Sequence, residues 1–122
     1  MIVGIGVDVV AIERLGLAFV RHPGLRERLF APEEIDALAG QGDLRSLAAR
    51  FAAKEAARKA VGGAAGRTRW RDAVVLGGRG GPPRLELRGG LLEAAWSLGA
   101  TRWHVSLAHE REYAVAMVVI ES

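Results

Sequence analysis

Apolar and polar residues alternate with period two along the first dozen positions, MIVGIGVDVVAI. The alternation predicts a strand with Met1, Val3, Ile5, Val7 and Val9 on one face and Ile2, Gly4, Gly6, Asp8 and Val10 on the other. The second face is bare at two glycines and carries a carboxylate. The pattern then turns helical over AIERLGLAFVRH and stops at Pro23-Gly24, and LRERLFAPEEIDALAG reads as a turn followed by a short helix opening at Pro32. The strongest helical stretch is DLRSLAARFAAKEAARKAVGG, with Asp43 as N-cap and Gly62-Gly63 as the stop. Leu44, Leu47, Ala48 and Phe51 form its apolar stripe. Continued by fours from Leu47, the stripe meets Phe51, Glu55 and Lys59, so the predicted inward face begins apolar and ends charged.

Beyond a Gly/Ala/Arg loop at 62–69, WRDAVVLGG and PRLELRG read as two strands joined by RGGPP, and GLLEAAWSLGA as a helix. RWHVSLAHEREYAVAMVVIE reads as a hairpin turning at Glu110-Arg111-Glu112. The order of elements predicts one small α+β domain over 1–122, an antiparallel sheet packed against a long central helix.

Composition narrows the chemistry. No cysteine is present, which excludes disulfides, thiolate metal sites and a cysteine nucleophile. The N-terminus does not read as a signal peptide, and no apolar run approaches the roughly 18 residues of a spanning helix, so a soluble cytoplasmic protein without a membrane association is expected. Seventeen basic residues against fourteen acidic give a net charge of +3, which favours an acidic partner or anionic ligand. Fifteen of the seventeen basic residues are arginines, and the two lysines, Lys54 and Lys59, flank Glu55 on the predicted central helix.

Several residues invite chemistry, each beside a plainer role. Asp8, on a face with two glycines, is costly to bury unless paired or bound to a metal, although an exposed edge strand would simply solvate it. Glu55 four residues before Lys59 is an ordinary helix-surface pair, except that it shares the face of Leu47 and Phe51. Together Asp8 and Glu55 have the donor types of a Mg²⁺ site shared with substrate phosphates. Arg50, Lys54 and Arg58 follow at i, i+4 as a basic stripe, either a solvated helix edge or a set of phosphate contacts. The glycines of VGGAAGRTR offer backbone N–H groups to an anion without forming a P-loop. His104 and Ser106 share a strand face as ligand contacts or an acid/base pair, and His109 sits at the hairpin end. Arg14, Arg21, Arg26 and Arg28 form a patch suited to an acidic protein helix or a nucleic acid.

GIGVDVVAIERL, RFAAKEAARKAVG and WHVSLAHEREYAVAMVVIE, in this order, resemble the holo-[acyl carrier protein] synthases, the small bacterial phosphopantetheinyl transferases, and the resemblance spans essentially the whole chain. It implies the fold of that family and Mg²⁺-dependent transfer of 4′-phosphopantetheine from coenzyme A to a serine of an acidic apo-acyl carrier protein. It further implies Asp8 and Glu55 as Mg²⁺ ligands and catalytic residues, and Lys59 as the catalytic lysine near the pyrophosphate. Arg50, Lys54, Gly62, Gly63, Gly66, His104 and Ser106 then line the coenzyme A site, Arg14, Arg21 and Arg28 dock the carrier, and the assembly is a homotrimer with sites between subunits. Ala108 stands where the family commonly has Ser or Thr. Two other readings of the residues are a basic module binding RNA or an acidic protein without catalysis, and a Mg²⁺-dependent nucleotide hydrolase.

Overall fold

The first strand has no side chains where the central helix crosses it, and this absence sets the architecture. In the computed structural model, which describes residues 1–38, 43–78 and 80–122, strand β1 (Ile2–Ala11) packs against helix α4 (Leu44–Val61). A Cβ added at Gly4 would lie 2.0 Å from the Ala60 carbonyl oxygen, and one at Gly6 would lie 1.8 Å from that of Ala56. No real side chain fits such gaps. The two glycines therefore let the backbone of α4 rest directly on the strand, and the close approach they permit is to another backbone.

Around this contact, β1 pairs antiparallel with β5 (Tyr113–Glu121), which pairs with β4 (Arg102–His109), giving a three-stranded sheet in the order β1-β5-β4. The predicted terminal hairpin is present, with 110–112 as its turn. A second sheet pairs β2 (Ala73–Gly77) with β3 (Pro83–Leu87). Helices α1 (Ile12–Arg21), α2 (Leu25–Leu29), α3 (Pro32–Asp36) and α5 (Gly89–Ser97) complete the described elements. This is the expected α+β arrangement of antiparallel strands about one long helix. Gly40, in the predicted third helical segment, and Arg79, in the predicted turn between β2 and β3, lie outside the described residues.

Three local expectations change. The register shifts between Ile2 and Gly4, a bulge that turns Ile2 out to solvent and lets Val3 pack on the core. Leu25–Leu29 is a one-turn helix started by Gly24 in the left-handed region (φ 87°), where a plain turn was expected. In α4, Asp43 caps the first turn as predicted, its carboxylate accepting from the Arg45 N–H at 3.1 Å. The buried surface of this helix is nevertheless not the Leu47-Phe51-Glu55-Lys59 line. Ala48, Ala49, Ala52, Ala53, Ala56, Ala57 and Ala60 are all buried, because α4 packs against β1 and β5 and also against β2, α1 and α5. Along the predicted line Leu47 is buried, Phe51 and Glu55 are half-buried and the Lys59 side chain is 56% exposed, so the line is an edge of the helix that opens toward solvent.

Candidate functional site

At the open edge of α4 the charged residues meet β1. The Lys59 ammonium donates to the Asp8 Oδ1 at 2.9 Å and to the Val7 carbonyl at 3.2 Å, across 51 positions of sequence. Asp8 lies two residues beyond Gly6 on the helix-facing side of β1, so the close packing at Gly6 is what brings its carboxylate within reach of α4. Glu55, one turn before Lys59, has its carboxyl pushed above the usual range, first by partial burial and then by the negative charge of Asp8, against the pull of Arg58 and Lys59. The two carboxylates thus repel each other beside one ammonium.

Such a pair of hard oxygen donors fits Mg²⁺, which binds through one or two carboxylates and takes its remaining positions from substrate phosphates and water. Among the described residues no group of three or more His, Cys, Asp or Glu is arranged to hold a metal. An ion at Asp8 and Glu55 would take two carboxylates from the described residues of this chain.

Beside Asp8 lies a pocket of about 400 Å³ whose wall is mostly apolar, including Val10, Leu15, Leu29, Phe51 and Trp70, with Arg14 at its rim. Trp70 was not singled out by the sequence. Its ring stacks on Phe51 at 5.2 Å between centroids and lies under the Arg58 guanidinium at 4.9 Å. A second opening, lined by Arg28, Arg69 and Arg71 with Glu27, has the same tryptophan as part of its wall.

Two expected ligand contacts do not survive. Lys54 is 1% exposed, and its three N–H donors go to Glu34 Oε1 (2.7 Å), the Ala73 carbonyl (2.5 Å) and the Trp70 carbonyl (3.3 Å), leaving none for a phosphate. Arg50 is 4% exposed and donates to the Gly77 carbonyl at 2.9 Å and the Ser46 carbonyl at 3.5 Å. Both side chains point into the protein, so of the basic stripe only Arg58 is still partly open to solvent. Glu34, the partner of Lys54, carries no sign of this role along the chain, because an acid in the first turn of a helix is ordinary helix-dipole placement.

His104 and Ser106 are on the other side of the sheet. Register aligns His104 with Val119 and Ile5, and Ser106 with Met117 and Val7, whereas Asp8 aligns with Ala116 and Leu107. Cross-strand partners share a face, so neither residue joins Asp8 within one chain. His104 Nε2 lies 2.7 Å from Glu121 Oε2, and this hydrogen bond, ahead of the charge of Arg102, draws the Glu121 carboxyl below the usual range. Gly62, Gly63 and Gly66 follow α4 as an exposed loop beginning with a 3-10 turn, Gly62 and Gly66 at positive φ. Arg14 and Arg21 are exposed on α1 around a shallow opening, with Leu17 and Val20 exposed on the same helix, and Arg28 is exposed on α2.

Residues 4–118 match the sequence profile of the 4′-phosphopantetheinyl transferase superfamily. A holo-[acyl-carrier-protein] synthase of Beutenbergia cavernae is 52% identical over 121 residues, covering 99% of each chain. Two solved structures are similar throughout. That of holo-[acyl-carrier-protein] synthase from Neisseria meningitidis has a TM-score of 0.85 and 31% identity, covering 100% of both chains. That of holo-(acyl-carrier-protein) synthase from Bacillus anthracis, in complex with CoA (3′,5′-ADP), has a TM-score of 0.79 and 32% identity, covering 100% of this chain and 98% of that one.

Proposed function

The chain belongs to the 4′-phosphopantetheinyl transferase superfamily, and we propose that it moves 4′-phosphopantetheine from coenzyme A to a serine of apo-acyl carrier protein. The observation that carries the reading is the Asp8–Lys59–Glu55 arrangement beside an apolar pocket. A pyrophosphate joined to an uncharged arm needs both parts, charges that face its oxygens and an apolar wall for the rest. Similar proteins that are holo-[acyl-carrier-protein] synthases, one of them in complex with CoA, support the assignment.

In the reaction the serine Oγ forms a bond to the β-phosphorus, the one that carries pantetheine. The bond from that phosphorus to the bridging oxygen breaks, and adenosine 3′,5′-bisphosphate leaves while the serine proton is released. Lys59 takes up the negative charge that grows on the leaving oxygen, a task suited to a compact ammonium on a flexible stem. Asp8 and Glu55 would hold the cation, and their carboxylates face the place where the pyrophosphate would lie. When bound, Mg²⁺ neutralises phosphate charge and polarises the oxygens of the transferred group. The apolar pocket receives the pantetheine arm, and the glycine loop at 62–66 lies near the nucleotide.

The exposed arginines of α1 and α2 receive the acidic carrier, with Leu17 and Val20 offering apolar contact between them. The assembly is a homotrimer. Its support is the outer face of the three-stranded sheet, where Ile5, Val7, Val9 and Met117 are each about half exposed in one chain, a continuous apolar surface of the kind that marks a protein interface. His104 and Ser106 share that face, so a second chain seated there would contact them. No described helix is long and apolar enough to cross a membrane. The test is incubation with coenzyme A, Mg²⁺ and apo-carrier, read as the mass of the carrier.

A further inference from the structure

Glu34 and Lys54 form the one buried ion pair among the described residues, and both side chains are almost wholly removed from water. Burying two opposite charges is costly unless every donor and acceptor is used, and here they are. Glu34 Oε1 accepts from Lys54 and from the Ala31 N–H at 3.0 Å, the start of α3, and its Oε2 accepts from the Val75 N–H at 3.0 Å in β2. The Lys54 ammonium also sits 5.3 Å from the Phe30 ring centroid. Its other two donors reach the carbonyls of Trp70 and Ala73, which bracket the single 3-10 turn at Trp70–Asp72.

That turn presents the indole of Trp70 to Phe51 and Arg58, and the indole walls the pocket beside Asp8. Besides the ring stacking, the Arg58 contact and the packing of Ala73 among the α4 alanines, the ammonium of Lys54 ties this backbone to α4. We propose that Glu34 and Lys54 are positioning residues: the buried pair fixes the 70–73 segment and so sets the Trp70 wall of the substrate pocket, touching no substrate itself. The inference rests on the reading that this pocket takes the pantetheine arm.

The test uses the full chain with Trp96→Phe and Trp103→Phe, so that Trp70 is the sole tryptophan and is excited selectively over Tyr113; neither replaced residue belongs to the site. Lys54→Met alone leaves Glu34 charged and unpaired, and such a variant can fail to fold. The informative variant is therefore Glu34→Gln with Lys54→Met, which removes both charges at nearly constant shape. Expected are a red-shifted, more acrylamide-quenchable Trp70 emission in the metal-free protein. The KM for coenzyme A should rise about tenfold while kcat changes by about twofold or less, the pattern of lost binding rather than lost chemistry. In a Trp70→Leu background the same pair of substitutions should leave KM unmoved, because its effect passes through the indole.

An unchanged Trp70 emission in a folded paired variant overturns the proposal. So does a rise in KM that persists in full with Trp70→Leu, which would mean that Lys54 meets the ligand directly. If the parent protein transfers nothing to any carrier, the functional reading fails, and the emission alone still decides whether the pair holds Trp70.

Discussion

The Lys59 ammonium sits 2.9 Å from Asp8 Oδ1 and 3.2 Å from the Val7 carbonyl, a contact that joins the open edge of the central helix to the first strand. Both acceptors are met by one small cation. A guanidinium is planar and longer and spreads its charge over a fork that matches two coplanar oxygens. Lys59→Arg should therefore lower kcat/KM for carrier modification by about tenfold or more while the melting temperature stays near that of the parent. Full activity in the Arg variant would show that only the sign of the charge matters.

Gly6 is the position at which strand and helix touch most closely. With the Ala56 carbonyl oxygen 1.8 Å from where a Cβ would be, Gly6→Ala requires α4 to move off β1. The expected cost is about 3 kcal/mol or more, at the high end for overpacking, measured by urea unfolding. Any folded remnant should lose the Asp8–Lys59 contact and with it the activity. A variant of parental stability would mean that the helix yields freely.

The raised Glu55 carboxyl predicts a conflict between function and stability. Burial, and after it the Asp8 charge, make the folded protein hold the Glu55 proton more tightly than the unfolded chain does. Ionised Glu55 therefore opposes folding at neutral pH, and this cost fades as pH falls through the raised folded value toward the ordinary range near 4.5. In metal-free buffer Glu55→Gln should melt higher than the parent at pH 7, with the advantage shrinking as the solution is acidified, although the variant is inactive. Calorimetry across that range checks the sign, and a lower melting temperature at pH 7 would contradict it.

Val7 lies in the middle of the apolar outer sheet face, opposite Met117. If that face is the subunit contact, Val7→Arg should convert a three-chain assembly into single chains and reduce transfer with it. Sedimentation velocity reports the mass. An unchanged assembly would move the interface elsewhere.

Much of this fold is legible along the chain, because β1, the capped α4 and the terminal hairpin are each written as a local pattern. The inward face of α4 is not. Its buried residues are mostly alanines on several sides, and a stripe traced through larger apolar residues starts at buried Leu47 and runs out along the helix edge. That edge still carries Glu55 and Lys59, since a helix side that turns from apolar to charged is one leaving the core. Lys54 and Arg50 show the opposite. Their acceptors, Glu34, Ala73 and Gly77, lie 19–27 positions away, so nothing local separates them from solvated charges. Of the two lysines, one is buried in the core and one lies at the helix edge beside Asp8, and each ammonium meets at least two oxygens.

The most direct test of the account is to weigh an apo-acyl carrier protein after incubation with this protein, coenzyme A and Mg²⁺, alongside Asp8→Ala and Glu55→Ala. The parent should add the mass of one phosphopantetheine to the carrier and release adenosine 3′,5′-bisphosphate. Both variants, folded by circular dichroism, should add none. No mass gain with several carriers, or release of phosphate from nucleotides without any carrier, would contradict the transfer. Undiminished gain in both variants would contradict the site.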